Sequence, residues 1–166
     1  MMGDRLRAFR TLRYMDRRTV LVLRQDVFED HLASEADVHA LLSLGRDVPV
    51  GDREWSLFFC EAITDWAMRQ DEPHGRISAE AASRLAVMLD DGRPAAGIEL
   101  DLVAHLIQHV RTVPPRLMRR AALAVREAAL AEGTVCETDE EVVEQLRLLV
   151  AGRDKAAPLP VLAVAG

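Results

Sequence analysis

The chain has 166 residues, 49% of them apolar and 29% charged, a composition that supports one globular domain and excludes a disordered segment. Its formal net charge of -6 disfavours nucleic acid as a partner, because a protein that wraps nucleic acid needs a basic face. No apolar run reaches the roughly 18–20 residues that span a bilayer, no secretory signal is visible, and Cys60 and Cys136 form no CxxC motif, so a cytoplasmic chain held by its core is expected.

At the N-terminus Arg5, Arg7, Arg10, Arg13, Arg17 and Arg18 face only Asp4 and Asp16. Leu6, Phe9, Leu12 and Met15 lie among these arginines and predict a short amphipathic helix over 4–15. Residues 1–15 are thus set apart as a basic segment that packs on the domain or touches an anionic lipid or partner. The domain itself is expected over 16–152. Helices are predicted over 17–29, from Ser34 to near Gly45, from Asp52 to Gln70, from Ser78 to Leu89, and over 98–110. Two more run from Pro115 to Gly133 and from Thr138 to Gly152.

The punctuation supports these boundaries. All seven prolines fall outside the interiors of the periodic runs, because proline lacks the donor and clashes inside a helix. Ser34, Asp52 and Ser78 are expected N-caps, Thr138 with Glu141 reads as a capping box, and Pro115 suits a first helical position. No segment alternates with period two between hairpin turns. The fold class is therefore all-α, a single-domain bundle of about seven helices. Its centre is expected over 52–70, where Trp55, Leu57, Phe58, Phe59, Cys60, Ile63, Trp66 and Met68 leave little polar surface. Residues 153–166, with Pro158 and Pro160, form an apolar tail too short to span a membrane.

Three turns repeat a pattern of Gly or Asp, a spacer and a lone apolar residue: Glu29 to Glu35, Pro73 to Glu80 and Glu132 to Cys136. The Gly or Asp admits a left-handed turn, the apolar side chain plugs the core, and a Ser caps the next helix in the first two. Gly75-Arg76-Ile77-Ser78 with Glu80, and Glu132-Gly133-Thr134-Val135, resemble the turns of TerB-like helical proteins associated with tellurite resistance. More distantly they resemble EF-hand helix–loop–helix pairs. The run Trp55, Phe58, Phe59, Glu61, Ala62 is also similar to the core of an uncharacterised bacterial family. The TerB-like resemblance implies a stress-associated scaffold or ion-binding role. An EF-hand loop centred on Gly75 would place Ala81 where the bidentate acid belongs, so calcium is not expected in that scheme.

Three clusters remain as candidate sites. Asp90, Asp91 and Glu99 surround a Gly/Pro-rich turn, where they would gather oxygens for a hard cation or simply stop one helix and start the next. His105 and His109 stand at i, i+4 with Asp101 one turn earlier, spacing that suits two metal ligands or an exposed polar face. Arg111, Arg116, Arg119, Arg120 and Arg126 form a basic cluster around Pro114 and Pro115, either docking a phosphate or acidic partner or balancing the acidic majority. No catalytic motif accompanies them. The expected function is a non-enzymatic interaction or scaffold module, with a protein partner or second copy of the chain and no obligatory cofactor. The alternatives are a divalent-cation-binding protein and an enzyme whose site no linear motif reveals.

Overall fold

Helix capping sets most of the architecture. The computed structural model describes residues 2–30, 32–70, 75–90, 97–133 and 138–153. Among them are eight helices and no named strand: α1 (Met2–Arg7), α2 (Arg17–Asp30), α3 (Glu35–Asp47), α4 (Arg53–Met68), α5 (Ala79–Leu89), α6 (Gly97–His109), α7 (Pro115–Ala131) and α8 (Asp139–Arg153). The all-α class holds, with α1 as the helix beyond the expected seven. None of these helices is long and apolar enough to cross a membrane. His31, Pro73, His74, Asp91, Thr134, Val135 and the tail from 154 onward lie outside the described residues.

Ser34 accepts from the Asp37 amide while the Asp37 carboxylate accepts from the Ser34 amide, a reciprocal capping box at α3. Ser78 accepts from Ala81 N–H at 3.0 Å at the start of α5. Thr138 and Glu141 exchange the same pair of bonds before α8. Pro115 opens α7. Ser34→Ala is expected to cost about 1 kcal/mol, read as a lower urea midpoint at unchanged slope. An unchanged midpoint would mean that the box contributes nothing.

Asp52 departs from expectation. Its carboxylate does not cap α4 but accepts from Tyr14 O–H at 2.6 Å and from Arg17 N–H at 2.7 Å, at the first residue of α2. Asp16 caps the same helix by accepting from Thr19 N–H at 2.7 Å. Bonds from the Thr19 side chain and amide hold the Asp16 carboxyl below its ordinary value. A group whose folded pKa is lowered stabilises the fold above its unfolded pKa and stops doing so as pH falls through the folded one. Asp16→Asn should therefore flatten part of the stability loss on acidification, seen by comparing thermal unfolding of both chains between neutral and acid pH. Identical profiles would remove Asp16 from that response.

The backbone divides into two compact units, Met1–Trp66 and Ala67–Gly166. In the first, α1 packs on α3, with Leu6 and Met15 buried. The helix predicted over 4–15 ends at Arg7 and gives way to i to i+3 turns through Leu12. Arg10 donates to Ser43 Oγ at 2.6 Å and pairs with Asp47 at 3.3 Å, and Arg17 pairs with Glu54 at 3.6 Å. Part of the N-terminal positive charge is thus balanced within the unit. Met15 and Gly51 form an isolated parallel bridge, through Met15 N–H to Val50 O and Asp52 N–H to Met15 O. A Cβ at Gly51 would stand 2.6 Å from Met15 O, so only glycine permits this approach.

Gly45 does not end α3, as its type suggests; the helix continues to Asp47. The residue is there for space. A Cβ at Gly45 would intrude on the Phe59 ring, 2.7 Å from its Cζ. Trp55, Phe58, Phe59, Ile63 and Trp66 on α4 are all buried, as the apolar run predicts. The Trp55 indole N–H donates to Val48 O at 3.0 Å, which removes the polar penalty of burying that ring. Trp55 stacks on Phe58 and meets Phe59 edge to face.

In the second unit α7 packs against α5, α6 and α8, and α6 also meets α8. Gly75 (φ 114°) turns the chain before α5, and buried Ile77 follows as the expected plug. Ile77 bridges to Val110 in parallel, donating its N–H to His109 O at 2.9 Å. Both units therefore use the same device, an apolar bridged residue followed at once by a cap: Met15-Asp16 before α2 and Ile77-Ser78 before α5. Gly133 (φ 78°) ends α7 in the left-handed turn that its sequence predicts.

Candidate functional site

α7 begins with two prolines, and its N-cap, Pro114, supplies no side-chain bond. No acid occupies its first turn, whereas Arg116, Arg119 and Arg120 stand in the first two turns, at the positive end of the helix dipole. Their environments differ because of helical phase. Arg120 shares a face with Leu117, Ala121 and Ala124, all buried, and is itself only 4% exposed. Arg116 and Arg119 point away from that face and are exposed.

The buried guanidinium is neutralised by Glu99 in the first turn of α6. Arg120 Nη2 donates to Glu99 Oε2 at 2.6 Å, and Glu99 is 1% exposed. Glu99 sits at i-3, i-4 and i-7 from Leu102, Val103 and Leu106, all buried. That spacing marked Glu99 as an inward residue, and the phase of Arg120 on α7 carried the same signal. Each helix thus carries one charged residue on its inward face, and the fold brings the two together. By position in the sequence alone, Glu99 belongs to an acidic turn and Arg120 to a surface cluster.

Outside this pair a pocket of about 320 Å³ opens between α5 and α7, lined by Ala86, Asp90, Arg116, Arg119, Arg120 and Leu123. Arg116 and Arg119 make no hydrogen bond or ion pair to any described residue. Asp90 uses its backbone N–H to close α5 against Ala86 O and Val87 O, and the residue lines the pocket. Leu123 is 41% exposed and forms a wall. The pocket is thus a concave surface with two outward guanidiniums, one carboxylate and two aliphatic walls.

The other candidates are placed as follows. The acidic trio is not assembled around one point: Glu99 is committed to Arg120, Asp90 lines the pocket, and Asp91 lies outside the described residues. His105 and His109 have ring centroids 4.6 Å apart, and His109 Nδ1 lies 2.8 Å from His105 O. Their face, shared with Asp101 and Gln108, is half-buried and not the open polar surface expected. Among the described residues no three His, Cys, Asp or Glu side chains gather as a metal-binding group. Arg111 is exposed on the connection between α6 and α7, outside the pocket, and Arg126 on α7 is half-buried.

Compared with known protein families, with curated proteins and with solved structures, the chain matches none of them.

Proposed function

We propose that the protein is a non-enzymatic interaction module whose contact surface is the outward face of α7. The observation that carries this reading is the state of Arg116 and Arg119. They are two exposed guanidiniums, without ion-pair partners among the described residues, at a concave site on a chain of net charge -6. On an acidic protein such a local positive site steers an acidic partner to one place and repels it elsewhere. Exposed Leu123 and, two turns on, Leu130 at 61% exposure lie on the same helix and supply apolar area beside the charges. The TerB-like resemblance of the turns is in keeping with a scaffold role in stress responses.

The test is charge reversal. Arg116→Glu with Arg119→Glu is expected to abolish salt-sensitive capture of a partner by the immobilised chain. Reversal at Arg147, which pairs with Glu144 on α8 at 3.9 Å, should leave capture intact. Circular dichroism verifies that both chains keep their helix content. Capture unaffected by reversal on α7 would place the contact surface elsewhere.

A further inference from the structure

The pocket's chemistry defines the kind of group that it takes, and this inference rests on the reading of α7 as the contact face. We infer that the pocket between α5 and α7 recognises a phosphate monoester, with the phosphoryl group held by Arg116 and Arg119 and the carbon portion laid against Ala86 and Leu123. Three observations converge on it. The first is charge: Arg120 is neutralised by Glu99, so the pocket offers two positive charges, Arg116 and Arg119, that make no ion pair among the described residues. A phosphate monoester carries about -1.5 to -2 at neutral pH and so matches both, whereas a carboxylate matches one.

The second is geometry. Arg116 and Arg119 are one turn apart on α7, and both line the same space. A planar carboxylate is satisfied by a single fork, while the tetrahedral phosphoryl group has oxygens enough to engage two. The third is size and lining. A volume of about 320 Å³ is more than a bare ion requires and lies at the small end of organic-ligand pockets, roughly 300–1,000 Å³. Asp90 on the far wall then accepts from a hydroxyl of the ester, a role for a carboxylate that would only repel an ion without donors. The Glu99–Arg120 pair beneath acts as positioning. It fixes the wall of the pocket and keeps a third guanidinium from collapsing into it.

The same phosphoryl chemistry reaches the pocket either on a small molecule or on a phosphorylated side chain of a partner. Calorimetric titration of the full chain distinguishes these sources. The probes are glycerol 3-phosphate, a neutral peptide bearing one phosphoserine, its unphosphorylated counterpart, inorganic phosphate, sulfate and acetate. Binding of glycerol 3-phosphate or of the phosphoserine peptide, weakened at least about tenfold in Arg119→Ala and again in Arg116→Ala, is the expected result. It should strengthen from pH 5 to pH 7.5, because the second phosphate ionisation falls near pH 6 and arginine does not titrate there. Asp90→Asn should weaken glycerol 3-phosphate, whereas inorganic phosphate, relieved of the carboxylate's repulsion, should bind no more weakly. Preference for the ester over the peptide assigns a small ligand, and the reverse order assigns a partner-borne phosphate. Equal weak heats from phosphate, sulfate and acetate, or binding indifferent to both arginine substitutions, would overturn the inference. So would the absence of any binding. In those cases partner capture that still depends on Arg116 and Arg119 would leave the interaction reading standing, with a different acidic group as its ligand.

Discussion

Replacing Arg120 with Met is expected to destabilise the chain by about 3–5 kcal/mol, because it leaves the Glu99 carboxylate in a site 1% exposed without the guanidinium that neutralises it. The magnitude comes from the stranded charge and not from the pair's net worth. Bringing two ions out of water costs most of what their attraction returns. Replacing both partners, Glu99→Leu with Arg120→Met, is therefore expected to recover nearly all of the loss. Equilibrium urea unfolding of the two single variants and the double variant measures this directly. A loss below about 1 kcal/mol in Arg120→Met would be the behaviour of a solvent-exposed pair and would contradict the burial.

Phe59→Ala is expected to cost about 3–5 kcal/mol. The ring is fully buried, packs edge to face on Trp55, and occupies the space that Gly45 leaves open. Its coupling to Gly45 is the sharper measurement. Gly45→Ala gains about 1 kcal/mol of helix propensity but forces a methyl into the Phe59 ring, where overpacking costs about 1–3 kcal/mol. In the wild-type background the net effect is expected to be a loss. With Phe59→Ala the obstruction is gone, and the same Gly45→Ala is expected to stabilise. A double-mutant cycle should thus show a change of sign. Additive effects would mean that Gly45 is present for a reason other than the ring.

These two sites also mark where linear reasoning stops. The capping residues Ser34, Ser78 and Thr138 act as their types and positions require, because a cap interacts with amides two or three residues away and needs nothing from the rest of the chain. The plug residues Leu32 and Ile77 are buried for a similarly local reason: they follow a turn and precede a cap. Asp52 shows the limit of that logic. It sits where a cap for α4 is expected, yet its carboxylate serves Tyr14 and the start of α2, more than thirty positions earlier. Gly45 shows it again, since a glycine near a helix end reads as a terminator unless the aromatic ring that needs its missing Cβ is known.

The candidate site divides in the same way. The arginine cluster on α7 was evident in the sequence, which grouped Arg120 with Arg116 and Arg119. What no single helix contains is the match between Arg120 and Glu99, 21 positions apart, or the approach of Ala86 on α5 and its C-cap Asp90 to Leu123 on α7.

By itself the order of residues determined that this chain is helical, where most of its helices start and stop, and that the indole- and phenyl-bearing segment is buried. Those properties follow from backbone hydrogen bonding and from periodicity over a few turns, and both are local. Only tertiary structure decided which charges are neutralised inside and which remain available outside. That partition depends on what side chain arrives from another helix, and it is the partition that turns a run of arginines into a buried pair beneath an open pocket.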